Sequence, residues 1–149
     1  MLSDDIYKTQ QSIISDSETC TRQIAIELGK KLVGATVIAL YGDLGAGKTV
    51  FAQGIANGLG ITEPVTSPTF TLIQEYRGPR YTLYHADLYR IADSSDTFTL
   101  GLEDMVRDES AVTVIEWAER APELLEGGVF EVKIGFHDST NRKLEIRYY

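Results

Sequence analysis

Ala35-Thr36-Val37-Ile38-Ala39-Leu40-Tyr41-Gly42-Asp43-Leu44-Gly45-Ala46-Gly47-Lys48-Thr49 is the stretch that decides the fold. Its first seven residues are apolar or β-branched almost without a break, the pattern of a strand covered on both faces. Gly42 ends that run. From about Lys48 the chain turns helical, carrying Val50, Phe51, Ile55 and Leu59 until Gly60 stops it. Strand, glycine loop and helix follow in immediate succession.

Gly42 to Thr49 fits the spacing G-x-x-x-x-G-K-[ST], which a chain of this length meets by chance roughly once in two hundred. The spacing has a chemical reason. A loop that curls around a phosphate must aim its backbone N–H groups inward, and side chains at the tight positions would block the anion. The helix that follows presents its positive N-terminal end to the same anion. Asp43, Leu44, Gly45, Ala46, Gly47, Lys48, Thr49 and Val50 are therefore the expected nucleotide-contacting run. Lys48 is expected to bridge β- and γ-phosphate oxygens of ATP, and the Thr49 hydroxyl to ligate Mg2+.

Working outward, Ile24, Leu28 and Leu32 recur every four residues and predict a helix over about 18–33, capped by Asp16 or Ser17 and ended by Gly34. Residues before it are polar and mixed, so 1–15 reads as a loose start with a short strand or turn near Ile13 and Ile14. After the loop helix, Pro64 and Pro68 mark a loop. Phe70–Tyr76 and Tyr81–Tyr89 flank Gly78-Pro79 as a hairpin. A short helix is predicted near Leu100–Val106, a buried strand over Ala111–Ile115, partial helix over Trp117–Leu125, and an antiparallel pair from Val129–Phe136 and Lys143–Tyr149. This order predicts one domain over residues 1–149, a three-layer α/β, P-loop NTPase-like fold with a mixed sheet.

A phosphate loop commonly works with an acid at the end of a neighbouring strand, which holds the metal from a second direction. Glu116 closes the run Val112-Thr113-Val114-Ile115, and Asp87 lies in Tyr84-His85-Ala86-Asp87-Leu88-Tyr89-Arg90. Both are candidates for metal and catalysis, with Thr49 as the third metal ligand; either Asp87 or His85 could face the site. His85 and His137 are read as structural, because two separated histidines without a cysteine cluster do not make a metal site. In Val65-Thr66-Ser67-Pro68-Thr69, a hydroxyl could sense the γ-phosphate through the metal, or simply form a turn.

Composition narrows the function class. The 149 residues carry a net charge of −8, which repels nucleic-acid backbones, so work on nucleic acid would run through partners. The single cysteine, Cys20, cannot form an internal disulfide and fits a reducing cytoplasm. No run of 18 apolar residues exists to span a membrane.

Together the segments GDLGAGKT at 42–49, VTSPTFTLIQEY at 65–76, HADLYR at 85–90 and IEWAER at 115–120 resemble the TsaE family of bacterial ATPases. The resemblance spans about Ser17 to Arg120, and SPTF followed by DLYR and IEW is far more particular than the loop alone. It implies an ATP- and Mg2+-dependent ATPase, slow on its own, in the threonylcarbamoyladenosine tRNA-modification pathway. There it would support cycling of TsaB and TsaD, meeting tRNA only through that complex. The resemblance assigns the switch-like threonine to Thr66, the essential acids to Asp87 and Glu116, and the tryptophan after the second acid to Trp117. It also suggests Thr19, at the first helix, as an adenine contact. The division of roles between Asp87 and Glu116 stays open.

The rival readings lack their parts. A small-molecule P-loop kinase, the main alternative, usually needs an arginine-bearing lid, and only Arg107 lies between Asp93 and Val112. A GTPase would need D-x-x-G and N-K-x-D after the loop, and neither is present.

Overall fold

The computed structural model describes residues 2–68, 71–91 and 101–149. Seven strands form one sheet in the order β1-β7-β6-β2-β5-β4-β3: β1 Gln11–Ser15, β2 Thr36–Tyr41, β3 Ile73–Arg77, β4 Thr82–Asp87, β5 Ala111–Glu116, β6 Val129–Phe136 and β7 Arg142–Tyr148. The four central strands β4, β5, β2 and β6 run parallel, and the flanking strands pair antiparallel. The mixed sheet expected from the sequence is thus present. So are both hairpins, although the insertion of β6 beside β2 and of β1 beside β7 leaves no local trace in the sequence.

Alternation along the central strands fills both faces. Ile38 and Leu40 of β2, with Val112 and Val114 of β5, pack beneath helices α1 (Glu18–Lys31) and α2 (Lys48–Gly58). Val37, Ala39 and Ile115 face the other way, against Leu102 of the short helix α3 (Leu102–Arg107) and against Ala118, Ala121 and Leu124 of two 3-10 turns. These make the three layers.

Helices α1 and α2 touch backbone to backbone. A Cβ at Gly54 would lie 2.5 Å from the Arg22 carbonyl oxygen and from the Ala25 Cβ, and one at Gly58 would lie 2.5 Å from the Ile26 carbonyl oxygen. Only glycine permits that approach, and it draws the start of α1 close to the glycine loop.

Several boundaries differ from expectation. Helix α1 ends at Lys31, because Leu32 is already extended (φ −74°, ψ 150°) and its N–H closes on the Gly29 carbonyl; Gly34 plays no part in the cap. Its N-cap is Ser17, whose hydroxyl accepts from the Cys20 amide. The first hairpin strand begins at Ile73, since Leu72 at φ 67° breaks the extended backbone; Phe70 lies outside the described residues. The predicted helix near Leu100 starts at Leu102, with 92–100 outside the described residues. The strand expected near Ile13 and Ile14 is β1, and within the segment read as a loose start two residues are tied down: Ile6 is buried in the core, and the Tyr7 hydroxyl donates to the Lys31 carbonyl at 2.9 Å while its ring meets Phe130 and Tyr148.

Candidate active site

Parallel strands put their carboxyl ends on one side of the sheet, and in open α/β sheets ligands settle there. The register places Leu40 of β2 opposite Glu116 of β5, and Glu116 opposite Asp87 of β4. The glycine loop leaves β2 at that same edge. Lys48, Thr49, Asp87 and Glu116, far apart in sequence, therefore line one cavity of about 270 Å³, together with Leu44, Gly45, Gly47, Val50, Trp117, Glu18 and Ser67.

The loop leaves room for an anion. A Cβ built at Gly45 or Gly47 would meet nothing within 4 Å, and both residues have positive φ, +80° and +112°. Gly47 is also the N-cap of α2 and supplies no side-chain acceptor, so no side chain caps the first amides of the helix. Lys48 turns back onto the loop: its ammonium donates to the Gly42 carbonyl and, at 3.1 Å, to the Asp43 carbonyl. Burial pushes its pKa below the ordinary lysine value, opposed by the charges of Glu116, Glu119, Asp87 and Asp43.

On the facing wall, the Thr49 hydroxyl donates to Glu116 at 3.3 Å from Oε1 and 3.4 Å from Oε2. His85 Nε2 lies 2.6 Å from Glu116 Oε2. The Asp87 carboxylate accepts the Tyr89 amide at 2.9 Å; burial raises its pKa, that hydrogen bond lowers it, and the nearby Glu116 charge raises it further. Trp117 follows Glu116 in a left-handed conformation, φ 58°, which turns the chain sharply out of β5. Its ring stacks at a tilt on Tyr89, 4.9 Å between centroids, and the Lys48 ammonium sits 4.2 Å from the indole centroid.

The donor set suits a small hard cation. Thr49 and Glu116 offer oxygens within reach of each other, and Asp87 lines the same cavity. No cluster of three or more histidine, cysteine or acidic ligands exists among the described residues. Mg2+ is characteristically held by one or two carboxylates, with waters and substrate phosphates completing its shell.

A second, smaller cavity of about 90 Å³ adjoins the loop at Gly45, Ala46 and Gly47 and is closed by Ser17, Glu18, Thr21, Val50, Thr140 and Arg142.

Some expected residues stand elsewhere. Thr19 is exposed and lines neither cavity; one turn of helix aims Glu18 and Thr21 there instead. Thr66 is exposed, its amide donating to the Tyr76 hydroxyl oxygen at 3.4 Å, and its neighbour Ser67 lines the main cavity. Asp43 meets Lys48 through its backbone carbonyl and is absent from both linings. Thr140 arrives from the turn between β6 and β7 and Arg142 from the first position of β7, and no local motif announces either.

Fold and site define a three-layer α/β protein with a glycine loop entering a helix opposite two strand-end carboxylates. A family model described as threonylcarbamoyl adenosine biosynthesis protein TsaE matches residues 15–144, and the chain belongs to that family. The tRNA threonylcarbamoyladenosine biosynthesis protein TsaE of Nostoc sp. (strain PCC 7120) is 42% identical over 136 residues, covering 89% of this chain and 82% of the relative. That of Treponema pallidum (strain Nichols) is 40% identical over 133 residues, covering 89% and 97%. The crystal structure of Bacillus subtilis YdiB superposes with a TM-score of 0.79 at 33% identity, covering 93% of this chain and 84% of that one. No helix among the described residues is long and apolar enough to cross a membrane.

Proposed function

We propose that the chain is a Mg2+-dependent P-loop ATPase that supports the threonylcarbamoyladenosine modification of tRNA, its hydrolysis serving the cycling of a TsaB–TsaD transfer machinery. The observation that carries the catalytic half is the convergence of Lys48, Thr49, Asp87 and Glu116 on one cavity at the open glycine loop. The pathway half rests on the names of the relatives, which are those of tRNA threonylcarbamoyladenosine biosynthesis proteins.

In this reading the loop amides and the N-terminal end of α2 bind the β-phosphate, and Lys48 leaves the Gly42 and Asp43 carbonyls to reach β- and γ-oxygens. Thr49 and Glu116, already within reach of each other, would hold Mg2+, which when bound would neutralise charge on the phosphate oxygens. Asp87 orients the attacking water and takes up its proton; the upward pull of burial on its pKa makes it a better base than a solvated aspartate. The small cavity beside Ala46 takes part of the nucleoside, with Thr21 and Arg142 as polar walls.

No arginine lines the main cavity among the described residues. Transition-state charge then lacks a guanidinium partner in the isolated chain, which makes basal turnover slow and leaves a partner to supply or order the missing element. Phosphate release measured for the chain alone, and with TsaB and TsaD added, tests this. Slow Mg2+-dependent release that rises with the partners supports it. Absence of release under both conditions, or phosphoryl transfer to a metabolite in preference to water, overturns it.

A further inference from the structure

His85 is fully buried, yet its imidazole is poorly used for a structural residue. Nε2 lies 2.6 Å from Glu116 Oε2, while Nδ1 has no hydrogen-bond partner among the described residues. A buried orphan nitrogen is a cost to the fold, which a leucine of similar volume would avoid. One hydrogen bond, to one carboxylate, is what the histidine provides in return.

Topology explains why that bond reaches the site. Residues two apart on a strand share a face, so β4 presents His85 and Asp87 on the side covered by α2. Parallel pairing sets His85 opposite Val114, two residues before Glu116 on β5. The imidazole therefore approaches Glu116 from the interior of the sheet, while Thr49 approaches from the loop helix. Glutamate has three side-chain torsions, and a strand-end glutamate bonded only to a threonine hydroxyl at 3.3 Å would keep much of that freedom. The short contact to His85 removes it.

We propose that His85 is a positioning residue for Glu116, donating from Nε2 to Oε2 so that the carboxylate stays turned toward Thr49 and the cation that the two would share. The proposal rests on the Mg2+-nucleotide reading of the site. Hydrogen bonds from behind a metal-ligating carboxylate typically change metal affinity 10- to 100-fold.

The test is binding of Mn2+, as a spectroscopic stand-in for Mg2+, to the full chain saturated with a non-hydrolysable ATP analogue, with free Mn2+ read by electron paramagnetic resonance. His85→Leu is expected to weaken Mn2+ binding about 10- to 100-fold, with analogue affinity in EDTA unchanged. His85→Gln, whose amide N–H extends about as far as Nε2, restores most of the affinity. His85→Asn, whose amide stops near the Nδ1 position, does not. The Gln and Asn pair carries the test should the leucine variant fail to fold. Wild-type Mn2+ affinity in His85→Leu, or equal affinity in the Gln and Asn variants, overturns the role of His85. A wild-type chain that takes up no Mn2+ beside the analogue overturns the nucleotide reading itself, and the role of His85 with it.

Discussion

The Lys48 ammonium rests 4.2 Å from the centroid of the Trp117 ring while donating to the Gly42 and Asp43 carbonyls. A cation over an indole face is attracted by the ring quadrupole, and it perturbs the excited state of the same ring. Trp117 is the only tryptophan, so its emission reports on this one lysine. Nucleotide binding should draw Lys48 toward phosphate and shift that emission. Lys48→Ala should change the spectrum of the free chain, abolish the nucleotide response and weaken nucleotide binding by at least about 100-fold, given charge-assisted hydrogen bonds worth about 1.5–3 kcal/mol each. An indifferent spectrum at saturating Mg-ATP would count against Trp117 as a wall of the site.

Asp87 supports a prediction in pH. Burial, the largest influence on it, raises its carboxyl pKa above the ordinary aspartate value, with Glu116 adding in the same direction against the Tyr89 amide. A folded-state pKa above the unfolded one favours folding at low pH, and that contribution is lost as pH rises through the folded value. At pH 7 the ionised carboxylate is therefore a liability to the ligand-free fold. Asp87→Asn keeps an oxygen for the Tyr89 amide and removes the charge. Its Tm without nucleotide should exceed that of the natural chain at pH 7, the gap closing as pH falls toward about 4. Phosphate release by the same variant should fall by about 100-fold or more, the loss expected for a general base. A lower Tm at pH 7 would contradict the placement of this carboxylate.

The Thr49–Glu116 contact predicts how stability responds to metal. A ligand present at 100 times its Kd adds about 2.7 kcal/mol, and a chain of this size gains about 2–4 °C per kcal/mol, so Mg-ATP should raise the Tm by about 5–10 °C. EDTA should remove most of the rise. Glu116→Gln should show the small, EDTA-like rise even in Mg2+, because an amide is a poorer ligand for a hard cation. A full rise in that variant, followed by thermal melting in both buffers, would move the metal to Asp87.

The sequence made the centre of this molecule readable and its periphery much less so. The run from Ala35 to Thr49 carries local physics: a doubly covered strand, a loop without side chains at the tight positions, and a helix. Strand-end acids are local too, which is why Glu116 and Asp87 stood out before their shared cavity was known. His85 is visible in the sequence as a residue that could face the site but reads as structural, because a histidine two residues before an acid has no signature of its own; its meaning lies in the 2.6 Å contact that strand pairing creates. Arg142 and Thr140 reach the loop only because β7 folds back on β6. Thr19 lies off both cavities by helical geometry: a shift of one or two residues rotates a side chain by about 100–200°, and Glu18 and Thr21 share the face that lines the small cavity. Ile6 joins a distant core that its own polar neighbours do not advertise.

Gly54 ties the stability of the fold to the nucleotide site. A methyl group there would meet the Arg22 carbonyl oxygen and the Ala25 Cβ, both at 2.5 Å, so α1 and α2 must separate to admit it. Overpacking of this kind costs about 1–3 kcal/mol, even though alanine is the better helix former by about 1 kcal/mol. Gly54→Ala should therefore lower the Tm by several degrees, measured by circular dichroism. The displaced helix also carries Ser17, Glu18 and Thr21, which wall the small cavity beside Ala46. Affinity for ATP should fall in this variant while affinity for inorganic triphosphate, which needs only the loop and Lys48, stays nearly constant. Equal losses for both ligands would mean that α1 acts on the loop itself, and that the small cavity does not receive the nucleoside.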